Sequence, residues 1–255
     1  MPGPAWIVVP TYNEADNLEP LAAAVREAVP AARILVVDDG SPDGTGALAD
    51  ALAARDGAVQ VLHRPRKEGL GLAYASGFAH ALAAGAGLVV EMDADGSHDP
   101  RDLPRLLARA RAGADLVLGS RYVAGGGVED WDLLRRAISR AGCRYARTML
   151  GVGVRDLTGG FKCFRAATLR AIDFETVRSH GYAFQVELTY RALARGLRVE
   201  EVPITFRERT AGESKMSARI ALEAMWLVPA LRLARRRDGL PEAPGSGSPG
   251  TLPIH

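Results

Sequence analysis

"AGLVVEMDADGSHDP" (86–100) runs from a short apolar stretch into an acidic, glycine-containing loop. Leu88–Val90 shows no polar alternation, the pattern of a strand covered on both faces. Asp93 and Asp95 stand one residue apart where that strand gives way. Asp, Gly, Ser and Pro are ordinary turn residues, but two carboxylates this close are also hard oxygen ligands for a divalent cation. On an extended chain their side chains share one side. Like charges so near each other resist ionisation unless a cation sits between them.

The same scheme recurs on either side. "AWIVVP" (5–10), "ARILVVDDGSPDGT" (32–45), "AVQVLHR" (58–64) and "ADLVLGSRY" (114–122) each carry a strand-like apolar run. Between them lie helical patterns, such as Leu18, Leu21, Ala22 and Val25 at helical spacing and "GLAYASGFAHALAAG" (71–85). Strands alternating with helices predict an α/β fold, a Rossmann-like and largely parallel sheet flanked by helices. Such sheets bind ligands outside the carboxyl ends of their strands. Pro10–Glu14, Asp38–Asp43, Asp93–His98 and Ser120–Arg121 all fall at such ends, so the unusual polar residues gather at one edge.

Past residue 122 the alternation loosens. A glycine-rich link leads to a helix over 130–150, then a short strand within "DLTGGFKCFRA" (156–166), a helix over "GYAFQVELTYRALARG" (181–196) and a strand in "LRVEEVPITFRER" (197–209). A last helix is expected from about Ser217, and the Pro/Gly/Ser-rich 238–255 reads as a disordered tail. We expect one domain over 1–237, with 5–122, where the polar strand ends gather, as its ligand-binding half and 123–237 as the other, and 238–255 as the tail.

Composition narrows the function. At 255 residues and 47% hydrophobic content the chain is long enough for a full core, and a net charge of +2 gives no case for nucleic-acid binding. Cys143 and Cys163 have no metal-type spacing and read as reduced thiols. The N-terminus has no signal-peptide pattern, and the apolar run at 220–231 is too short to span a bilayer. No G-x-G-x-x-G follows the first strand, which excludes the usual dinucleotide fingerprint. "EGLGLAYASG" (68–77) reads instead as a tight turn into a helix packed closely on the sheet. A P-loop and a G-x-S-x-G elbow are also absent.

A sheet end built from acids rather than glycines suits a sugar nucleotide held through metal. "VVPTYNE", "VVDDGSPDGT", "EMDADGSHDP" and "GSRY", in this order, resemble the family 2 inverting glycosyltransferases of GT-A fold. "DLTGGFKCFR" and "EVPITFRERTAGESKMS" narrow the resemblance to polyprenol-phosphate (dolichol-phosphate) mannose synthases, over residues 5 to about 220. The resemblance implies transfer of mannose from GDP-mannose to a polyprenyl monophosphate, with inversion and with Mg²⁺ or Mn²⁺. It implies that Pro10, Tyr12, Glu14, Val37 and Asp39 line the base and ribose pocket. Asp93, Ala94 and Asp95 then touch the donor, with Asp95 the firmest metal ligand beside Asp93 and Ser97. Arg121, Arg209 and Lys215 match positions that contact donor diphosphate or acceptor phosphate, and Asp95 and Arg121 carry the catalytic assignment. His98 is expected to be a satisfied loop histidine rather than a base.

The implied acceptor is a lipid, so we expect peripheral association with the cytoplasmic face of the membrane, with a membrane-anchoring protein as a further partner. Two interfacial helices are candidates. One carries an apolar stripe of Trp131, Leu134, Ile138, Ala141, Tyr145 and Met149 among Arg135, Arg136, Arg140, Arg144 and Arg147. The other spans 217–237, with Trp226 ahead of Arg235–Arg237. Two other functions compete: UDP-glucose transfer to polyprenyl phosphate, and a non-catalytic nucleotide-sugar-binding partner subunit. The intact acids, Arg121 and Lys215 argue against the latter. A phosphatase would need its acids after the first strand, not the fourth.

Overall fold

The computed structural model describes residues 3–177, 179, 181–207 and 228–233. The first strand, β1 (Ala5–Thr11), is buried along its whole length. Its alternate side chains feed two different cores. Trp6 and Val8 join Leu35, Tyr74, Phe78, Phe164 and Phe184 on one face, while Ile7 and Val9 join Ile34, Leu103, Phe161 and Cys163 on the other. A strand with helices on both faces has no solvent side, which is why its sequence reads as an unbroken apolar run.

Three strand–helix–strand units follow from β1 through α1 (Ala15–Ala28), β2 (Arg33–Asp38), α2 (Thr45–Arg55), β3 (Val59–His63), α3 (Leu70–Ala83) and β4 (Leu88–Glu91). After α4 (Leu103–Arg111) and β5 (Leu116–Ser120) come a two-residue strand β6 (Gly127–Val128) and the long α5 (Leu133–Leu150). The chain then returns through β7 (Lys162–Arg165), α6 (Ala166–Ala171), α7 (Gly181–Ala194), β8 (Val199–Pro203) and β9 (Thr205–Phe206). The main sheet has seven strands in the order β3-β2-β1-β4-β7-β5-β8. All its pairings are parallel except those of β7, which runs antiparallel between β4 and β5.

The strand order reverses between β1 and β4. That switch point opens a crevice at the carboxyl ends of both strands, and Tyr12 and Asp93 lie there. The insertion of β7 brings residues 156–161 to the same edge, beside Arg121.

α3 presses on β1 through Gly77. A Cβ at that position would lie 2.3 Å from Val8 Cγ1 and 3.1 Å from Val37 Cγ2. The glycine-rich 68–77 stretch is thus a close-packing device, as its sequence implies. Gly77→Ala should cost about 1–3 kcal/mol through overpacking, read as a lower urea midpoint at unchanged slope. An unchanged midpoint would mean the helix can move away freely.

Both cysteines are free and buried. Among the described residues no helix is long and apolar enough to cross a membrane. Arg209 and Lys215 lie outside the described residues, as do the 238–255 tail and most of the 217–237 segment. Residues 228–233 of that segment are helical. They dock on the end of α5, with Val228 buried and Arg232 Nη1 donating to the Met149 carbonyl at 2.8 Å.

Candidate active site

The β1 and β2 ends are locked together by short polar side chains. Thr11 Oγ1 and Ser41 Oγ donate to Asp38 Oδ1 at 3.2 and 2.5 Å, and Thr45 Oγ1 accepts from the Glu14 backbone N–H at 2.9 Å. Asp43 receives the Thr45 backbone N–H at 3.0 Å, so it steadies the entry to α2. Pro10 and Val37 are buried in adjacent strands at paired positions. Tyr12 is half-buried, with the Lys67 ammonium 3.8 Å above its ring. Glu14 accepts from Asn17 Nδ2 at 2.8 Å. Asp39 is buried and ion-paired with Arg64, which also reaches Glu68 at 3.0 Å. Burial raises the Asp39 carboxyl, and Arg64 offsets only part of that rise. Arg64 has no motif of its own in the sequence, and only the pairing of β2 with β3 brings it here.

The acid turn after β4 departs from the sequence reading in one respect. Residues 92–93 are irregular and 94–96 form a bend, so the two-residue periodicity of an extended chain does not govern Asp93 and Asp95. Their orientations come from separate partners. Tyr74, fully buried on α3, donates its hydroxyl to Asp93 Oδ1 at 2.7 Å. Burial, and then the Asp93 charge, push the Tyr74 phenol well above its ordinary value, so it keeps its proton as a donor. Asp95 Oδ1 accepts the Ser97 backbone N–H at 3.1 Å, closing its own turn.

His98 is buried, stacked 4.8 Å from the Phe161 ring. Its Nδ1 accepts the Asp93 backbone N–H at 3.1 Å. One ring nitrogen therefore holds the acid turn in shape. A Cβ on Gly160 would stand 3.5 Å from Gln185 Nε2, 3.7 Å from Asp93 Oδ2 and 3.8 Å from His98 Cε1. The glycine leaves open the space into which Asp93 Oδ2 faces. Beneath it, Glu91 on β4 pairs in register with Lys162 on β7. Lys162 Nζ donates to the Gln185 carbonyl and Oε1 at 2.7 and 2.5 Å. Burial pushes Glu91 up and Lys162 down, each opposed by the other's charge.

The donor set fits a hard divalent cation. Asp93 and Asp95 supply carboxylates, and Ser97 Oγ is buried with no hydrogen-bond partner among the described residues. No cluster of three or more His, Cys, Asp or Glu suited to a metal occurs among the described residues. One or two carboxylates completed by phosphate oxygens and water is the usual arrangement for Mg²⁺ at nucleotides.

Arg121 follows β5 and is 5% exposed. Its Nε and Nη2 each reach Asp156 at 2.7 Å, in a two-pronged grip, and Nη2 also donates to Thr158 at 2.8 Å. The rings of Tyr122, Trp131 and Phe206 lie 5.2 to 5.7 Å from its Cζ. Burial works to lower the Arg121 pKa, but Asp156 more than reverses this and the guanidinium stays charged. Asp156 stands in the "DLTGG" motif, yet nothing local pairs it with a residue 35 positions earlier.

Trp131 was expected in the lipid-facing stripe, and the structure corrects this. It precedes α5 and is 8% exposed, packed against Phe206 and under Arg135. Met149 is half-buried against the core. The remaining stripe does face outward: Leu134 is 70% and Ile138 48% exposed, and Leu133 adds 82%.

A Rossmann-like sheet with acids at its switch point and a buried arginine across the crevice is a GT-A architecture. The sequence profile of Glycosyl transferase family 2 matches residues 6–173, and the chain belongs to that family of glycosyltransferases. It is 52% identical over 233 residues to an undecaprenyl-phosphate mannosyltransferase of Micrococcus luteus, covering 91% of this chain and 96% of that one. It is 51% identical to a polyprenol monophosphomannose synthase of Mycolicibacterium smegmatis, covering 91% and 88%. Among solved structures, glucosyl-3-phosphoglycerate synthase from Mycobacterium tuberculosis with Mn²⁺, UDP-glucose and phosphoglyceric acid superposes with a TM-score of 0.64 at 19% identity, over 94% of this chain and 81% of that one. A mannosyltransferase from Pyrobaculum calidifontis with GDP-mannose and Mn²⁺ gives 0.58 at 18%, over 96% and 68%. These two share the fold.

Proposed function

We propose that the chain transfers mannose from GDP-mannose to a polyprenyl monophosphate, inverting the anomeric centre and releasing GDP. The observation that carries this reading is the half-identity, across nearly the whole of both chains, to two enzymes named for mannosyl transfer to polyprenyl phosphate. The intact acid turn and Arg121 support it. Tyr12 would form an aromatic wall for the base, while Glu14 and Asp39 would accept from nucleoside donors. A divalent ion bound by Asp93, Asp95 and Ser97 would neutralise the diphosphate leaving group.

A general base is not required. A polyprenyl monophosphate is mostly doubly ionised at neutral pH, with a second pKa of about 6 by analogy with phosphoserine. Its oxygen can attack directly once it is positioned. Three of Arg121's five donors go to Asp156 and Thr158, which leaves the Nη1 end for a substrate phosphate oxygen. Arg209 and Lys215 would add charge from outside the described residues. The exposed leucines and isoleucine of α5 would seat the enzyme peripherally on the cytoplasmic face of a membrane.

A donor screen with a polyprenyl phosphate and Mg²⁺ tests the reading. GDP-mannose should give a lipid-linked mannose at a rate far above that from UDP-glucose. Preference for UDP-glucose would replace the mannose assignment, and inactivity with every donor would favour a binding subunit.

Tyr74→Phe should loosen the hold on Asp93 at a cost of only about 1 kcal/mol in stability. Mn²⁺ affinity in the presence of GDP should fall roughly 10- to 100-fold, as for other residues that orient a metal ligand. Mn²⁺ paramagnetic resonance reads this without turnover, and unchanged affinity would show that Asp93 needs no such support.

A further inference from the structure

A cavity of about 800 Å³ opens beside the active site between α5 and the 121–126 and 151–155 loops. Arg121, Arg140, Arg144, Arg147 and Arg155 line it together with Tyr122. Arg121 is neutralised by Asp156. The side chains of the other four have no hydrogen bond or ion pair among the described residues. Arg147 Nε is buried with no acceptor, and Arg140 rests near the Tyr122 ring, 5.9 Å from its centroid. Four guanidiniums around one hollow repel one another and focus a positive field into it. Anionic oxygens would remove the repulsion and satisfy the stranded donor.

The helix itself says where such an anion would come from. At 3.6 residues per turn, α5 has three faces. Cys143, Ala146 and Leu150 point into the core. Arg140, Arg144 and Arg147 recur at i, i+4 and i+7 on a second. Leu134 and Ile138 lie on a third, exposed one. The arginine face is next to the apolar face, so when the latter sinks into a bilayer the cavity lies at headgroup level. Acceptor phosphate alone does not account for it. Arg144 and Arg147 lie roughly 6 and 10 Å beyond Arg140 along the axis, at 1.5 Å per residue. A monophosphate held between Arg121 and Arg140 would leave both uncompensated.

We propose that this cavity is a second phosphate site, which takes the phosphodiester headgroup of an anionic phospholipid beside the bound acceptor. Arg144, Arg147 and Arg155 supply the charge, and Thr148, also in the lining, donates its hydroxyl to the Arg144 carbonyl at 2.9 Å and can accept from a hydroxyl of the headgroup's glycerol. The site rests on the lipid-facing reading of α5 but not on the identity of the sugar transferred.

The test uses the full chain and monomeric short-chain phosphatidylglycerol, titrated by calorimetry below its micelle concentration so that no charged surface contributes. Short-chain phosphatidylcholine and inorganic phosphate are run alongside. The wild type should bind phosphatidylglycerol well above the other two. Arg144→Gln/Arg147→Gln should weaken that binding by at least about tenfold, or 1.4 kcal/mol. Arg144→Lys/Arg147→Lys should recover part of it, and an unchanged melting temperature excludes misfolding. KM for a short, water-soluble prenyl phosphate should stay unchanged in the glutamine variant.

Equal binding of the two phospholipids, or no effect of the glutamine pair, would overturn the proposal. Phosphate binding as tight as phosphatidylglycerol would reassign the cavity to a free anion. An acceptor KM raised by the same factor would give it to the acceptor. A chain with no mannosyl transfer that still binds phosphatidylglycerol through these arginines would separate this inference from the proposed activity.

Discussion

Asp156→Ala is expected to destabilise the fold by about 3–5 kcal/mol, because it strands the buried Arg121 charge. That is a large share of the roughly 5–15 kcal/mol available to a typical domain. At this chain length it corresponds to a melting point lower by roughly 10 °C. Arg121 is 5% and Asp156 0% exposed by side chain, so water cannot replace the lost partner. Burial alone would raise the Asp156 carboxyl, but the Arg121 charge and hydrogen bonds outweigh it and hold the carboxyl below its ordinary value. The ionised carboxylate therefore contributes fully above the unfolded-state pKa of about 3.9. The contribution is lost as pH falls through the depressed folded-state value. The stability gap between wild type and Asp156→Ala should accordingly close in acid. Replacing both residues by apolar ones, Arg121→Met with Asp156→Leu, should recover much of the stability while leaving no transfer activity. A single variant that melts with the wild type would mean that the pair is solvated.

Asp95→Ala should abolish transfer, with a loss of at least about 10³-fold, equivalent to roughly 4 kcal/mol in barrier. The carboxylate closes its own turn through Ser97 N–H, and in the proposed function it holds the cation at the leaving diphosphate. The variant should also stay inactive at high Mg²⁺, since one carboxylate cannot place the ion alone. Two effects are separable. Asp95→Asn keeps an acceptor for the Ser97 N–H, so it should fold as the wild type does and yet remain close to inactive. Chelator should silence the wild type to the same level. Retained activity in either variant with chelator present would end the metal reading.

The strands that carry the site were legible because each is a short apolar run ending in polar residues. β1 and β5 begin and end within two residues of the stretches 5–10 and 114–122. Less legible was everything set by distant pairing. β7 is four residues long, and its place between β4 and β5 depends on partners some seventy and forty-five positions upstream. Arg64, Tyr74 and Asp156 look like ordinary surface, core and turn residues until tertiary contacts put them against Asp39, Asp93 and Arg121. The bend at Asp93–Asp95 followed from local turn chemistry, which outweighs strand periodicity once the ladder ends at Glu91. The stripe on α5 faces outward from Leu134 to Tyr145, and ends at Met149, where the last turn packs on the core. It fails also at Trp131, two residues before the helix, where the indole packs beside a guanidinium instead of facing outward.

The antiparallel β7 also has a consequence for how the molecule comes into being. β4 is paired to β1 on one side, but on the other it waits for Lys162–Arg165. β5 has no sheet partner at all until β7 and then β8 arrive. A ribosome that has just delivered Arg121 therefore holds a chain in which β4 and β5 have bare edges, which are sticky by nature. Pairings this far apart in sequence close slowly. A fragment stopping after β5 would carry every acid of the proposed donor site and still be prone to aggregate, so the sheet has to be made as one piece.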